Sequence, residues 1–357
     1  MDMSYDDRNR AFAQAFMARS SMTFKEGRAV LAAIFSAHDN NSVDPTDIEE
    51  QQFVDYIAAA NSAISPFDFE IRSTLRQVPK AQDPGTPQSP PERVYALVNT
   101  TSDPLTQLAT TYTPDQIAFV KRVLDYMFDT NNTRLCEGMV ITHMQAANLA
   151  RPPAGERHRR ESGTEDSQSG PVGALTMTEA ETMVQRLMSE GWLERSPKDY
   201  ISLTPRALME LRHWLVSEYN DENFRDRPGR QKIKFCAACK DIMTVGQRCD
   251  NRDCPGRLHD HCTENFFRME RAEVCPQCKQ AWTGESFVGE RAVIQFNRNR
   301  DRNVPTRLPR RSEPVSRTIS EETVPGGSEQ VSEEDEDDGE LEDEGMEDKE
   351  DEEDEEN

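Results

Sequence analysis

The chain has 357 residues, of which 35% are hydrophobic and 30% charged, and its formal net charge is −24. The charge is unevenly placed: 22 Asp or Glu and a single Lys lie between Thr318 and Asn357, a net of −21, so residues 1–317 carry only −3. The length allows two or three domains, no run of 18 apolar residues could form a membrane-crossing helix, and the opening MDMSYDDRNR lacks the basic-then-apolar order of a secretion signal.

Residues 6–76 read as helices and then a strand. Phe12, Phe16 and Met17 recur at helical spacing. Thr23 and Glu26 form a capping-box pattern ahead of Val30, Leu31, Ile34 and Phe35. Asp44-Pro45 offers a cap and a first-turn proline for a third helix that presents Phe53 and Ile57. FDFEIRSTL alternates apolar and polar residues and predicts a strand; a Pro- and Gln-rich loop from Pro79 to Pro91 precedes a second strand, VYALVN. Three helices followed by a two-stranded ribbon is the order of a winged helix, assigned to residues 6–108.

The same order recurs over residues 109–222, without a detectable sequence repeat. Thr113-Pro114 caps a helix with Ile117, Val120, Leu124 and Phe128, and Cys136 to Leu149 is expected to be a second helix with Cys136 buried in it. Residues 151–173 are rich in Arg, Glu, Ser, Gly and Pro and read as a disordered insertion. Thr178 and Glu181 suggest a further capping box for a helix with Val184, Leu187 and Met188 inside, ending at Gly191. Trp192 to Leu203, turning at Ser196-Pro197-Lys198, predicts a hairpin, and Thr204-Pro205 starts a helix with Leu208, Leu211, Leu215 and Tyr219 on one side.

A basic linker, 223–234, leads into residues 235–285, where seven of the eight cysteines fall. From 286 onward the chain is read as a disordered tail: eight Arg lie between Arg291 and Arg317, and the acidic run follows. Ser332-Glu-Glu-Asp in that run suits an acid-directed kinase.

Between Cys236 and Cys278 the order is C-A-A-C, Cys249, Cys254, His259, Cys262 and C-P-Q-C. Short pairs of this kind let two side chains on one tight turn reach the same ion, and eight ligands fill two tetrahedral zinc sites. Metal-held thiols fit a reducing compartment, so a soluble cytosolic or nuclear protein is expected. In a cross-brace the first and third pairs share an ion. That puts Cys236, Cys239, His259 and Cys262 on zinc 1, and Cys249, Cys254, Cys275 and Cys278 on zinc 2. Two sequential zinc ribbons are the alternative. His259 rather than His261 is taken as ligand, because the H-x-x-C spacing turns it toward the ion that Cys262 holds.

A RING-like and a histone-reading PHD-type finger both fit this ligand order. A PHD finger usually carries a Trp two residues before the seventh ligand, where this chain has Glu273. Asn265 to Met269 reads as the short helix of a RING, and Pro276 follows the seventh ligand as in many RINGs. The expected fold is therefore α+β: two tandem winged helices, a small double-zinc cross-brace (RING-like, C4HC3) and a disordered acidic tail.

This architecture resembles the non-structural maintenance of chromosomes element 1 family, the RING-like subunit of the Smc5–Smc6 complex. The resemblance rests on VYALVN, on GWLERSPKDYISLTPRALMEL and on the zinc series, and covers roughly Arg8 to Trp282. It implies a nuclear RING-type ubiquitin ligase in DNA repair and recombination, which binds a MAGE-like subunit through its winged helices and works with a kleisin subunit. The conjugating enzyme would meet Ala238, Phe266, Phe267, Pro276 and Lys279. Ala238 stands where many active RINGs carry a larger aliphatic residue, and neither Phe is the frequent Trp, so weak activity without the partner is expected. The alternatives are a non-enzymatic assembly scaffold, a PHD-type histone reader, and weak DNA contact through 225–234 or 291–317.

Overall fold

The computed structural model describes residues 5–80, 90–100, 111–152, 173–220 and 231–303. Most of the insertion, residues 221–230 of the linker and the acidic tail lie outside them.

In the first unit, helix α1 (Asp7–Arg19) starts on Asp6, whose carboxylate caps the free N–H groups of the first turn, and stops where Ser20 turns left-handed. Strand β1 (Ser21–Thr23) runs into α2 (Phe24–Asp39), and Thr23 and Glu26 form the expected reciprocal cap. Asp44-Pro45 opens only a single 3-10 turn, and α3 (Glu50–Ile64) begins five residues later. Gly27 is required where α2 meets α3: a Cβ there would lie 2.0 Å from the Phe53 ring. Edge-on aromatic pairs fill the space between the helices, with Phe12 5.7 Å from Phe53 and 5.6 Å from Tyr56. Strands β2 (Phe69–Leu75) and β3 (Arg93–Asn99) pair antiparallel, and β1 adds a third strand on the far side of β3 that the sequence did not announce.

The second unit opens with α4 (Pro114–Asp125), capped by Thr113 and Gln116, which continues into a π-helical turn over Tyr126–Thr130. The expected helix from Cys136 to Leu149 is not formed. Residues 131–140 fold as a tight loop held by the Asn131 side chain and backbone, β4 (Ile141–Thr142) follows, and only His143–Asn148 is helical (α5). Cys136 is buried in that loop rather than in a helix. Helix α6 (Met177–Ser189) is capped by Thr176 and Glu179, two residues earlier than the pair read from sequence. Strands β5 (Leu193–Arg195) and β6 (Tyr200–Leu203) form the hairpin, and β4 adds to β6. The last helix breaks at Leu211 into α7 (Pro205–Glu210) and α8 (Arg212–Tyr219).

Each unit thus sets three antiparallel strands against helices, the order of a winged helix. The zinc module has its own sheet of β7 (Gly246–Arg248), β8 (Arg257–Leu258) and β9 (Phe287–Val288), with α9 (Asp260–Glu270) beside it. Residues 287–303 depart from the disordered tail expected from 286. Phe287 and Val288 pair with Gln247 and Gly246 of β7, and Glu290–Asn303 form α10. The apolar residues divide in two: the first unit has its own core, while one continuous cluster runs from Phe119 and Leu187 in the second unit to Ile242, Leu258 and Trp282 in the zinc module.

Candidate metal centres

Two C-x-x-C turns are built alike. Lys240 and Lys279, the residues after Cys239 and Cys278, take left-handed conformations with φ of 66° and 60°. In the first turn Cys236 N–H donates to the Asp241 carbonyl at 2.9 Å and Lys240 N–H to that of Cys236 at 3.0 Å; in the second, Cys275 donates to Gln280 at 2.8 Å and Lys279 to Cys275 at 3.1 Å. Isolated bridges, Phe235 to Ile242 and Val274 to Ala281, close both hairpins. This geometry turns both sulfurs of each pair to one side.

The remaining ligands complete two clusters. Cys236, Cys239, His259 and Cys262 gather with their ligand atoms within 4.8 Å of one another, and so do Cys249, Cys254, Cys275 and Cys278. Sulfurs in the second cluster are 3.5 Å apart for Cys249 with Cys278 and for Cys254 with Cys275. That is far from a disulfide at about 2.05 Å and close to the edge of a tetrahedron with metal–sulfur bonds of about 2.3 Å. The donor sets, three thiols with an imidazole and four thiols, fit two structural zinc ions with no coordination position left for water. The pairing interleaves, first with third and second with fourth, and does not follow the order of two successive ribbons.

His259 turns Nδ1 toward Cys239 Sγ at 3.2 Å and Cys262 Sγ at 4.0 Å, while Nε2 lies 3.3 Å from the Ile242 carbonyl. Donating Nε2–H to that carbonyl leaves Nδ1 as the free lone pair for a metal. His261 stacks on His259 with ring centroids 5.0 Å apart and belongs to neither cluster. The four-residue gap between Cys249 and Cys254 is taken up by an Asn turn: Asn251 Oδ1 accepts from Asp253 N–H and the Asn251 carbonyl from Cys254 N–H, both at 3.0 Å.

Of the five residues expected at a conjugating-enzyme surface, Ala238 and Lys279 are exposed and Pro276 is half-buried. Phe266 and Phe267 are also half-buried and pack on the core; Phe267 meets the Trp282 ring at 5.9 Å and Phe266 meets Phe267 at 5.8 Å. Both serve at least partly as the module's small core. Trp282 is buried and its Nε1–H donates to Gln247 Oε1 at 2.9 Å, so it is committed internally and cannot line an aromatic cage.

Sequence reasoning missed the residues that hold the module in place. Asp260, next to His259, accepts from Lys80 N–H of the first unit at 3.0 Å and from Gln247 Nε2 at 3.0 Å, and pairs with Arg291 of α10. Gln77 Oε1 accepts from the Thr244 and Val245 N–H groups at 3.0 Å each, and its Nε2 donates to the Ile242 carbonyl at 2.7 Å. Glu137 of the second unit meets Lys234, Arg248 and Arg257. Burial alone would raise the Glu137 carboxyl's pKa, but the three cations, Arg257 foremost, hold it near 2; burial lowers Lys234 to about 8, with Glu137 offsetting only part of the effect. No sequence signal marks these long-range pairs, since a lone Gln or Glu in a loop is usually solvated.

Two interleaved four-ligand centres around a short helix and a three-stranded sheet, carried by two helix-and-sheet units, define a RING-like zinc module. A model described as a RING-like domain matches residues 236–278, and one described as the Nse1 non-SMC component of the SMC5-6 complex matches residues 9–211. The chain belongs to this Nse1 family. It is 22% identical to the non-structural maintenance of chromosomes element 1 homologue of Rattus norvegicus over 277 residues, 77% of this chain and 84% of that one. The Homo sapiens homologue is also 22% identical, over 280 residues, 78% and 85% of the two chains. For the Schizosaccharomyces pombe protein the figure is 23% over 235 residues, 66% and 79%. A solved structure titled "Nse1-Nse3-Nse4 complex" superposes with a TM-score of 0.55 at 21% identity, covering 80% of this chain and all of that one, which shows a shared fold.

Proposed function

We propose that this chain is a RING-type ubiquitin ligase subunit of an Smc5–Smc6 complex, acting in the nucleus in DNA repair and recombination. The observation that carries the reading is the double-zinc cross-brace, which holds Ala238, Pro276 and Lys279 at or near the surface on two rigid turns. A ligase of this kind supplies no nucleophile or base. It holds a ubiquitin-charged conjugating enzyme in a reactive conformation, so its contribution is positional, and zinc supplies only the rigidity of the two turns. The winged helices are then the docking surface for a MAGE-like subunit, with a kleisin beside it; the solved structure of similar fold, by its title, joins its chain to two others.

The scaffold reading draws on a different observation. Phe266 and Phe267 are partly used in the core, and the module shares its apolar cluster with the second unit, as a fixed structural part would. Of the described basic residues in the two segments, Lys232 is bound to Asp129, Lys234 to Glu137 and Arg291 to Asp260, which leaves the exposed Arg298 and Arg300 of α10 for any direct DNA contact. A salt-dependent mobility shift with duplex DNA, lost on removing arginines from 291–317, would restore that role.

Autoubiquitination by the full chain with its MAGE-like partner, across a panel of conjugating enzymes, tests the ligase reading. Activity is expected with the partner and little without it. Pro276→Ala with Lys279→Glu should lower the rate by roughly ten- to a hundredfold, with zinc content unchanged. No activity in any combination leaves the scaffold as the reading.

A further inference from the structure

Glu137, Lys234, Arg248 and Arg257 meet where the second unit adjoins the zinc module, and ubiquitin transfer makes no use of them. All four side chains are at most 10% exposed, and Arg257 is fully buried. Arg257 Nε donates to Glu137 Oε2 at 2.8 Å, Lys234 Nζ lies 3.1 Å from Oε1, and Arg248 Nη1 lies 3.3 Å from the same oxygen. Among the described residues Glu137 is the only carboxylate paired with these cations, which leaves two positive charges buried without a counter-charge. Among the described residues Arg248 Nη2 is buried and has no hydrogen-bond partner. Isolated buried charge is costly, so a balancing anion should be close.

The adjacent four-cysteine centre would supply it once a metal is bound. A divalent zinc on four thiolates carries a formal charge of −2, matching the excess on the cluster. The two arginines flank its ligands in sequence: Arg248 precedes Cys249, and Arg257 follows Cys254 by three residues. Arg257 Nη1 donates to the Cys254 carbonyl at 2.9 Å and to the Gly256 carbonyl at 2.7 Å, and Gly256 N–H points at Cys254 Sγ at 3.3 Å. A chain of contacts therefore runs from Glu137 through the Arg257 guanidinium to the turn that presents a zinc-2 sulfur. Toward zinc 1 the links among the described residues run through the backbone alone: the Arg257 carbonyl accepts from Ala237 N–H at 2.8 Å, Lys234 precedes Cys236 by two residues, and neither contact is with a ligand sulfur.

We propose that Glu137, a residue of the second winged-helix unit, is a positioning residue for the four-cysteine zinc centre: it fixes Arg257 and Arg248 beside that centre, so metal loading at zinc 2 and docking of the zinc module on the second unit reinforce each other. The coupling is reciprocal by linkage. Loss of metal from zinc 2 strands the cluster's positive charge and loosens the loop around Glu137.

The test uses the full chain reconstituted with cobalt, whose absorption separates a four-thiolate site from one with three thiolates and an imidazole, together with chelator competition for zinc. Glu137→Gln is expected to weaken the four-cysteine site by about ten- to a hundredfold, the usual size of an outer-shell effect, with the His259 site unchanged; Glu137→Asp should recover part of the loss. Equal weakening of both sites, or of neither, overturns the proposal. A second measurement covers a Glu137→Gln chain that does not fold. Hydrogen exchange over residues 131–140 should quicken in Cys278→Ser, which opens zinc 2, and not in Cys239→Ser, which opens zinc 1. The same exchange in both variants overturns it as well.

Discussion

Gln77 shows how much one uncharged side chain can fix. Its carboxamide accepts two N–H bonds and donates to a carbonyl on the turn from Ile242 to Val245, tying the first unit to the zinc module. Gln77→Ala would leave these backbone groups without their partner, at about 1–3 kcal/mol. Denaturant unfolding should report that loss, and hydrogen exchange at Thr244 and Val245 should rise. Gly256 is equally constrained, because a Cβ there would fall 2.5 Å from Cys275 Sγ. Gly256→Ala is therefore expected to leave one zinc per chain instead of two by elemental analysis, and full occupancy of both sites would count against this packing argument.

At the scale of elements, the segment that follows the last ligand belongs to the zinc module. Strand β9 covers one edge of β7, and Arg291 at the start of α10 pairs with the buried Asp260 carboxylate while lying 4.2 Å over the Phe287 ring. Removing one partner of a buried ion pair costs about 3–5 kcal/mol. Arg291→Met should therefore fall near the lower end of that range, since Asp260 keeps its bonds to Gln247 and Lys80. Trp282 fluorescence during unfolding measures it, because Trp282 bonds to Gln247 in the same network. An unchanged midpoint would show that α10 is an appendage, as its Arg-rich composition first implied.

For the whole molecule, the two separate cores set how it comes apart. The second unit and the zinc module share one apolar cluster, whereas the first unit has its own. Metal binding in a module this small is also its folding free energy. Stripping zinc with a strong chelator should therefore destabilise the second unit along with the module and spare α1 to α3. Circular dichroism is expected to keep the helical signal of the first unit, and a second, higher thermal transition should remain. A single cooperative loss of all helical signal would mean that the Gln77 and Asp260 contacts couple the first unit as tightly as a shared core.

The metal donors, the RING-like class and most helices follow from the sequence because they obey local rules. Two ligands on one turn need a fixed spacing, a helix start needs Thr23 with Glu26 or Thr113 with Pro114, and a strand needs alternation. Where local rules competed, the reading slipped by a few residues, as at Thr176, or failed, as over 136–140, where a loop tied by the Asn131 side chain to the Val140 carbonyl replaces the start of the expected helix. Composition misled at α10, because Arg291 is an exposed charge in sequence and a buried ion-pair partner once Asp260 lies beside it. The tertiary structure alone decided that Glu137 faces Arg257 across 120 residues, that Gln77 reaches Thr244, and that the second unit and the zinc module share a core. These are meetings of distant residues, and local spacing carries no information about which distant partner relieves a buried charge.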